Sequence, residues 1–316
     1  MINVRVAQIV EVAEGIIDIE LRRTDGLALP SFEPGAHVDV HLPDGMVRQY
    51  SLRNDAHDTS HYRLGVGRSV KSRGGSAWLH EMLRSGDTLR ISEPRVLFGL
   101  APEAPRHRFV AGGIGITPIL SMIQWCHRHK LQWQLSYCVR SRAHAAYLDV
   151  LGAMGGDVRL YIDDEVASPH DIGGMLAGMD PAEHIYCCGP GGLMDAVGSH
   201  AVERGISPDR VHFERFAAPA VDRVNAADAA FTVVLAKSGA SCKVAASESI
   251  LEALERNGFN LPFSCREGLC RTCEVGIVSG EAEHRDYVLS DEERREGRSL
   301  IACVSRAATE EIVIDL

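Results

Sequence analysis

Four cysteines carry the strongest chemical signal in this 316-residue sequence. Cys265, Cys270 and Cys273 stand in the spacing C-x4-C-x2-C, and Cys303 follows after a long interval. Thiolates hold iron–sulfur clusters, and this spacing is that of a plant-type [2Fe–2S] centre. Three thiolates wrap so small a cluster only on a sharply turning backbone. Gly268 supplies that freedom, and neighbouring N–H groups can aim at the sulfides. A structural zinc ion is the alternative, but zinc ribbons pair two C-x2-C knuckles and only one is present here. Cys126, Cys138, Cys187, Cys188 and Cys242 fall in apolar strands or helices and read as small buried hydrophobes.

A second constellation is Arg48-Gln-Tyr50-Ser51-Leu52 followed by Arg73-Gly74-Gly75-Ser76. Gly74, Gly75 and Ser76 at a helix start offer N–H groups and a hydroxyl to an anion. Arg48 adds a bidentate fork to the same phosphate. Tyr50 is then placed to lie against an aromatic ring, with Ser51 near that ring's reactive edge. The strand Gly65-Val66-Gly67-Arg68 would run beside the ring, its small residues admitting close approach. Taken alone, these segments also read as an outward-facing strand and an ordinary loop.

Two more loops follow strands and open helices. Gly112-Gly113-Ile114-Gly115-Ile116-Thr117-Pro118 suits a dinucleotide diphosphate at a helix N-terminus. Pro118 replaces the third glycine of the full fingerprint, and proline is tolerated in a first helical turn. Cys187-Cys188-Gly189-Pro190-Gly191-Gly192 belongs at the carboxyl edge of the same sheet, where open α/β folds bind ligands.

The elements that must position these residues are legible. Residues 1 to about 100 alternate short β-rich runs with turn signals, as in Val38–Leu42, Pro43-Asp-Gly and Met46–Leu52, which predicts an antiparallel barrel. Strands are expected at Arg108–Ala111, Trp133–Val139, Val158–Ile162 and His184–Cys188, with helices from Pro118 and over Gly191–Arg204. That βαβ alternation implies a parallel sheet. Residues 217–228 are small and polar, as in a linker. A hairpin-like alternation from Phe231 and a helix over Ser249–Asn257, with Ser247 as its cap, then lead into the cysteines.

The 43 acidic and 33 basic side chains give a net charge of −10, the wrong sign for a nucleic-acid or anionic-membrane partner. No apolar run approaches a membrane span, and the polar N-terminus lacks a signal-peptide core. Nine cysteines, an odd count, make a poor disulfide framework. A reducing, cytoplasmic location is expected.

Residues 231–316, with their hairpin, helix, Leu261-Pro-Phe-Ser lead-in and cysteine spacing, resemble a plant-type ferredoxin domain of β-grasp fold. Such loops commonly have Gly after the second cysteine, where this chain has Arg271, a cation expected to alter sulfur hydrogen bonding and raise the potential. Arg-x-Tyr-Ser followed by Gly-Gly-Ser resembles the flavin domain of the ferredoxin-reductase superfamily, and Arg-Gly-Gly-Ser is similar to its FMN branch. G-G-I-G-I-T-P with C-G-P resembles the pyridine-nucleotide half. That similarity implies Thr117 between flavin and nicotinamide, Cys188 at the hydride-bearing carbon, and Phe216, ending Val211–Phe216, stacked by the flavin. A sheet-capping core aromatic is the alternative for Phe216.

In this order the three signatures resemble the phthalate dioxygenase reductase family, including vanillate O-demethylase oxidoreductase-type subunits. Pro94-Arg-Val96 departs from it, since Asn often follows Pro-Arg there. The resemblance implies a flavin β-barrel domain over 1–102, an α/β NAD domain over 103–224 and a [2Fe–2S] ferredoxin domain over 229–316.

It further implies catalytic Ser51, Thr117 and Cys188. Cofactor contacts fall to Arg48, Tyr50, Ser51, Val66, Gly67, Gly74, Gly75, Ser76, Gly113, Gly115, Thr117, Pro118, Cys188, Gly189, Pro190 and Phe216. The metal ligands are Cys265, Cys270, Cys273 and Cys303. Arg140-Ser-Arg142 is placed to meet a 2′-phosphate, yet this branch usually prefers NADH. The implied activity is an NADH-dependent oxidoreductase that passes electrons through FMN and [2Fe–2S] to a separate terminal oxygenase. A Rieske aromatic oxygenase or O-demethylase is expected first, a P450 second, with the reductase a monomer. A redox-sensor subunit is the non-catalytic rival, and two complete nucleotide loops argue against it. The flavin and iron–sulfur subunit of dihydroorotate dehydrogenase is another, disfavoured by the long interval from Cys273 to Cys303.

Overall fold

The computed structural model describes every residue except Asp44, 69–73, 167–169, Pro181 and 219–228. Arg73 and most of the expected linker, with the expected boundary at residue 224, therefore lie outside the described residues. The chain divides into two compact units, Met1–Glu214 and Arg215–Leu316.

The first unit opens with an antiparallel sheet. Its strands are β1 (Ile2–Ala13), β2 (Ile16–Arg23), β3 (Ala36–His41), β4 (Val47–Ser51), β5 (Tyr62–Gly67), β6 (Thr88–Ile91) and β7 (Arg95–Val96), with one short helix, α1 (Gly75–Glu81). The strand order is β4-β3-β6-β1-β2-β5, with β7 against β3. A bridge between Leu52 and Leu64 and the hydrogen bond from Arg53 N–H to Arg63 O (3.0 Å) join the end of β4 to β5 and close the barrel. Alternation drives this: Ile2, Val4 and Val6 turn inward, to pack with Val38, Val40, Leu52, Leu64 and Ile91.

The same unit continues into a parallel sheet. Strands β8 (Arg106–Gly112), β9 (Gln132–Val139), β10 (Asp157–Ile162), β11 (His184–Cys188) and β12 (Val211–Glu214) alternate with helices α2 (Ile116–His129), α3 (Leu148–Met154), α4 (Ile172–Met175) and α5 (Gly191–Glu203). All pairs are parallel, in the order β10-β9-β8-β11-β12. In α2, Ile116, Ile119, Leu120, Ile123 and Cys126 recur at helical spacing and are fully buried. The helix ends at Lys130, which is left-handed (φ 57°), with His127, Arg128 and His129 in its last turn.

The second unit contains β13 (Phe231–Leu235), β14 (Ser241–Val244), β15 (Glu274–Ser279), β16 (Ala282–Glu283), β17 (Ser299–Ile301), β18 (Arg306–Ala307) and β19 (Glu311–Ile314), with α6 (Ile250–Arg256) and α7 (Asp291–Glu296). Its main sheet runs β14-β13-β19-β15-β17, with β13 and β19 parallel, the β-grasp arrangement. The cap of α6 is Ser249, not Ser247: Glu252 N–H donates to Ser249 Oγ (3.2 Å) and Ser249 N–H to Glu252 Oε2 (2.9 Å). Only Ser249 has a glutamate three residues on, so only it completes a capping box.

Candidate functional site

Arg48 on β4 and the glycines before α1 meet. A Cβ on Gly75 would fall 2.5 Å from Arg48 Cγ and 2.9 Å from its Nε, so the arginine lies directly over this glycine. Gly74 has φ 91°, a value that only glycine adopts freely. Arg48, whose Nη1 donates to Val47 O (2.8 Å) and Nη2 to Met46 Sδ (3.2 Å), thus forms one cradle with Gly74 and Gly75, the residues expected to hold a phosphate. Tyr50, two residues along β4, is half-buried, and burial pushes its phenol up to about 12.

Strand β5 abuts the first nucleotide loop directly. A Cβ on Gly65 would sit 2.5 Å from Thr117 Cγ2, and one on Gly67 would sit 3.3 Å from Ile114 Cβ. The two nucleotide loops in turn touch backbone to backbone: a Cβ on Gly115 would lie 2.1 Å from Cys188 O, and one on Gly189 would lie 2.8 Å from Gly112 Cα. Gly113, Gly115, Thr117, Pro118, Cys188, Gly189 and Pro190 are thus gathered at the carboxyl edge of the sheet, next to Gly65, Val66 and Gly67. Thr117 Oγ1 donates to Ile114 O (3.0 Å), which closes the turn.

Ser51 at the end of β4 donates to Glu214 Oε2 (3.4 Å), and Glu214 pairs with Cys188 in the β11–β12 register. Desolvation pushes the Glu214 carboxyl up to about 8, with Ser51 partly offsetting it. Burial, followed by the nearby Glu214 and Cys187, raises Cys188 well above an ordinary thiol, so it stays neutral. Glu214 is a site residue that motif reading passed over. Its signal was its place as the last residue of a strand at the ligand edge. Phe216 follows β12 and is exposed.

In the second unit the four motif cysteines come together. The Cys265 sulfur accepts N–H bonds from Glu267 (3.3 Å) and Leu269 (3.4 Å), and Cys270 Sγ accepts from Cys265 N–H (3.5 Å). Cys265 faces Cys270 and Cys303, while Cys273 faces Cys303. Those contacts, Cys270 first and Cys303 second, push the Cys265 thiol down. Among the described residues no three ligand side chains converge on one ion-sized point. Together the four thiols offer the donor set that a [2Fe–2S] cluster would need. Gly268 (φ 73°) packs so tightly that a Cβ would meet Val304 Cγ2 at 2.7 Å and Asp286 Cα at 3.1 Å.

Arg271 is left-handed (φ 57°), as a glycine there would be. Its guanidinium bonds Glu274 (2.9 and 3.0 Å) and Glu293 (2.8 Å). The expected cation at the sulfurs is therefore neutralised by two carboxylates. Arg266 likewise pairs with Glu255 (2.5 Å) and stacks over Phe263 at 3.9 Å.

The family description of a 2Fe-2S iron–sulfur cluster binding domain matches residues 233–308. The chain is 41% identical over 319 residues to vanillate O-demethylase oxidoreductase of Pseudomonas sp. (strain HR199 / DSM 7063), with full coverage of both chains. It matches the solved structure of phthalate dioxygenase reductase with a TM-score of 0.73 and 37% identity, covering 99% of this chain and 97% of that one. The chain belongs to the phthalate dioxygenase reductase family. An intact type IV self-sufficient cytochrome P450 monooxygenase also matches, at TM-score 0.92 and 36% identity. There this chain, covered in full, spans about two fifths of the other's length (41%). As a member of the phthalate dioxygenase reductase family, the chain is a flavin and [2Fe–2S] oxidoreductase that uses a nicotinamide dinucleotide. The glycine cradle, the abutting loops and the paired cysteines fit those three groups.

Proposed function

We propose that this chain takes hydride from NADH at the Thr117–Cys188 edge, holds FMN in the barrel, and delivers electrons singly from its [2Fe–2S] cluster to a separate Rieske-type oxygenase. The observation that carries this reading is the abutment of β5 on the turn at Ile114 and Thr117, whose side chains pack directly against Gly67 and Gly65. When bound, the flavin accepts two electrons together and releases them one at a time, so one NADH reduces two one-electron acceptors and leaves NAD+ and a proton.

The chain's own residues bind and orient. Arg48 with Gly74, Gly75 and Ser76 grips a single phosphate, hence FMN, while Tyr50 and Val66 flank the ring. Ser51 and Glu214 form a hydrogen-bonded pair at the reacting edge, in which Glu214 holds a proton at neutral pH. Gly113, Gly115, Pro118, Gly189 and Pro190 admit the dinucleotide, and Thr117 and neutral Cys188 bound the nicotinamide. Cys265, Cys270, Cys273 and Cys303 hold the cluster.

NADH over NADPH is supported at the second strand of the parallel sheet, where dinucleotide ribose is read. Arg142 is held bidentately by Glu165 (2.6 and 2.9 Å), within the acidic turn Asp163–Glu165. A 2′-phosphate would have to displace that carboxylate. A Rieske acceptor is supported by potentials: plant-type clusters lie near roughly −400 mV and Rieske centres at about −150 to +300 mV, so transfer runs downhill. Nine thiols without a disulfide suit a reducing cytoplasm, and among the described residues no helix is long and apolar enough to cross a membrane.

Anaerobic titration with NADH tests the proposal. Bleaching of both flavin and iron–sulfur bands, with about three electrons accepted per chain, is expected. Bleaching of the flavin alone would reduce the protein to a simple flavin reductase.

A further inference from the structure

Tyr147 belongs to none of the motifs, yet it occupies the junction between the barrel and the nucleotide sheet. It stands just before α3 with φ 62° and ψ 23°, a left-handed conformation that bulky side chains rarely adopt. Such strain persists only where the surroundings impose it.

Those surroundings are a buried ion pair of the barrel. Asp18 on β2 and Arg53 after β4 are 3% and 7% exposed. Arg53 donates twice to Asp18, from Nε and Nη2, at 2.5 Å each, and Arg63 Nη1 adds a bond at 2.9 Å. Tyr147 reaches across from the nucleotide half and closes this network. Its Oη donates to Asp18 Oδ1 (3.2 Å), and the Arg53 guanidinium lies over its ring at 4.5 Å. Burial first, and the Asp18 carboxylate second, raise the phenol well above its ordinary value, so it remains a donor. Gln124 Nε2 on α2 also donates to Arg53 O (2.6 Å). A buried pair of this kind resists displacement, because moving one partner strands the other's charge.

The same hydroxyl lies against β5, where Gly65 is the register partner of Asp18. A Cβ on Gly65 would fall 2.5 Å from Tyr147 Oη and 2.5 Å from Thr117 Cγ2. The phenol and the threonine methyl therefore close on the same point of β5.

We propose that Tyr147 is a positioning residue for hydride transfer: anchored on the Asp18–Arg53 pair, it sets how closely the Thr117 turn approaches the flavin strand β5. It acts through Thr117 and Gly65 and touches no reacting atom. The proposal rests on the hydride-transfer reading above.

The test is anaerobic stopped-flow reduction of the flavin-loaded, full-length protein by NADH and by its 4-deuterated form. Tyr147→Phe keeps the ring and removes the Asp18 bond. It should slow flavin bleaching at saturating NADH by between about 5- and 100-fold. It should also raise the deuterium isotope effect and leave the NADH concentration for half-maximal rate within about twofold. Gly65→Ala, which crowds the same contact from the opposite side, should give the same signature and serves if Tyr147→Phe folds poorly. Loss of packing alone would lower the melting temperature without changing the isotope effect. Wild-type bleaching rates and isotope effects in a folded variant, Tyr147→Phe or Gly65→Ala, would overturn the positioning role and leave the hydride-transfer reading intact. Failure of the wild-type protein to bleach with NADH would overturn both.

Discussion

The Ser51 hydroxyl, at the end of a barrel strand, donates to the carboxyl of Glu214, the last residue of the parallel sheet, across 3.4 Å. The two residues are 163 positions apart, and their bond joins the expected flavin edge to the strand beside Cys188. Desolvation raises the Glu214 pKa from an ordinary 4.5 to about 8. Between those values the folded protein holds a proton that the unfolded chain has lost. Glu214 therefore favours folding most below pH 4.5, and that contribution fades as pH rises through 8. The slope is at most about 1.4 kcal/mol per pH unit. Glu214→Gln, which stays neutral, should flatten the fall in thermal stability between pH 5 and 8; melts that keep the wild-type slope would assign the effect elsewhere.

Gly115 tolerates no side chain, since its Cβ would stand 2.1 Å from Cys188 O and 2.5 Å from Cys188 C. Backbone cannot swing aside as a flexible side chain can, so Gly115→Ala should part the two nucleotide loops. An overpacking cost of about 1–3 kcal/mol is expected. The KM for NADH should rise at least about tenfold, the equivalent of 1.4 kcal/mol. Steady-state kinetics with ferricyanide as acceptor would read this, and an unchanged KM would place the dinucleotide elsewhere.

Coenzyme choice should follow the Arg142–Glu165 pair. Glu165→Gln leaves Arg142 without its bidentate carboxylate and removes a negative charge from the turn. The ratio of kcat/KM for NADPH to that for NADH should rise by roughly tenfold, as one charge-assisted contact to a phosphate becomes possible. A ratio that does not move would show that neither residue faces the ribose.

Arg271 occupies a left-handed position with its charge met by Glu274 and Glu293. Replacing it with glycine relieves the backbone and removes a cation already neutralised. Redox titration of Arg271→Gly, followed by electron paramagnetic resonance, should show a cluster midpoint within about 59 mV of wild type, a factor of ten for one electron. A larger drop would mean that the guanidinium acts on the sulfurs after all.

Much of this site is written locally in the chain. The spacing of Cys265, Cys270 and Cys273 places three thiolates on one short turn, and the glycines before α1 and α2 mark where a backbone can approach an anion, because both depend on neighbouring residues alone. The strands and helices of the parallel sheet were legible for the same reason, with His184–Cys188 at its expected bounds and α5 ending one residue short of the expected Arg204. Even the cap of α6 is local, because Ser249 has a glutamate three residues on. The rest depended on contacts between distant segments. The partners of Arg271 are one case: Glu293, which takes its guanidinium, stands 22 positions away. Asp18, Arg53 and Tyr147 span 129 positions and carry no motif. Composition and periodicity report what a residue does to its own helix or strand. Which carboxyl meets Ser51, and which tyrosine lies against Gly65, was decided only when the barrel and the sheet packed together and buried charges had to find partners.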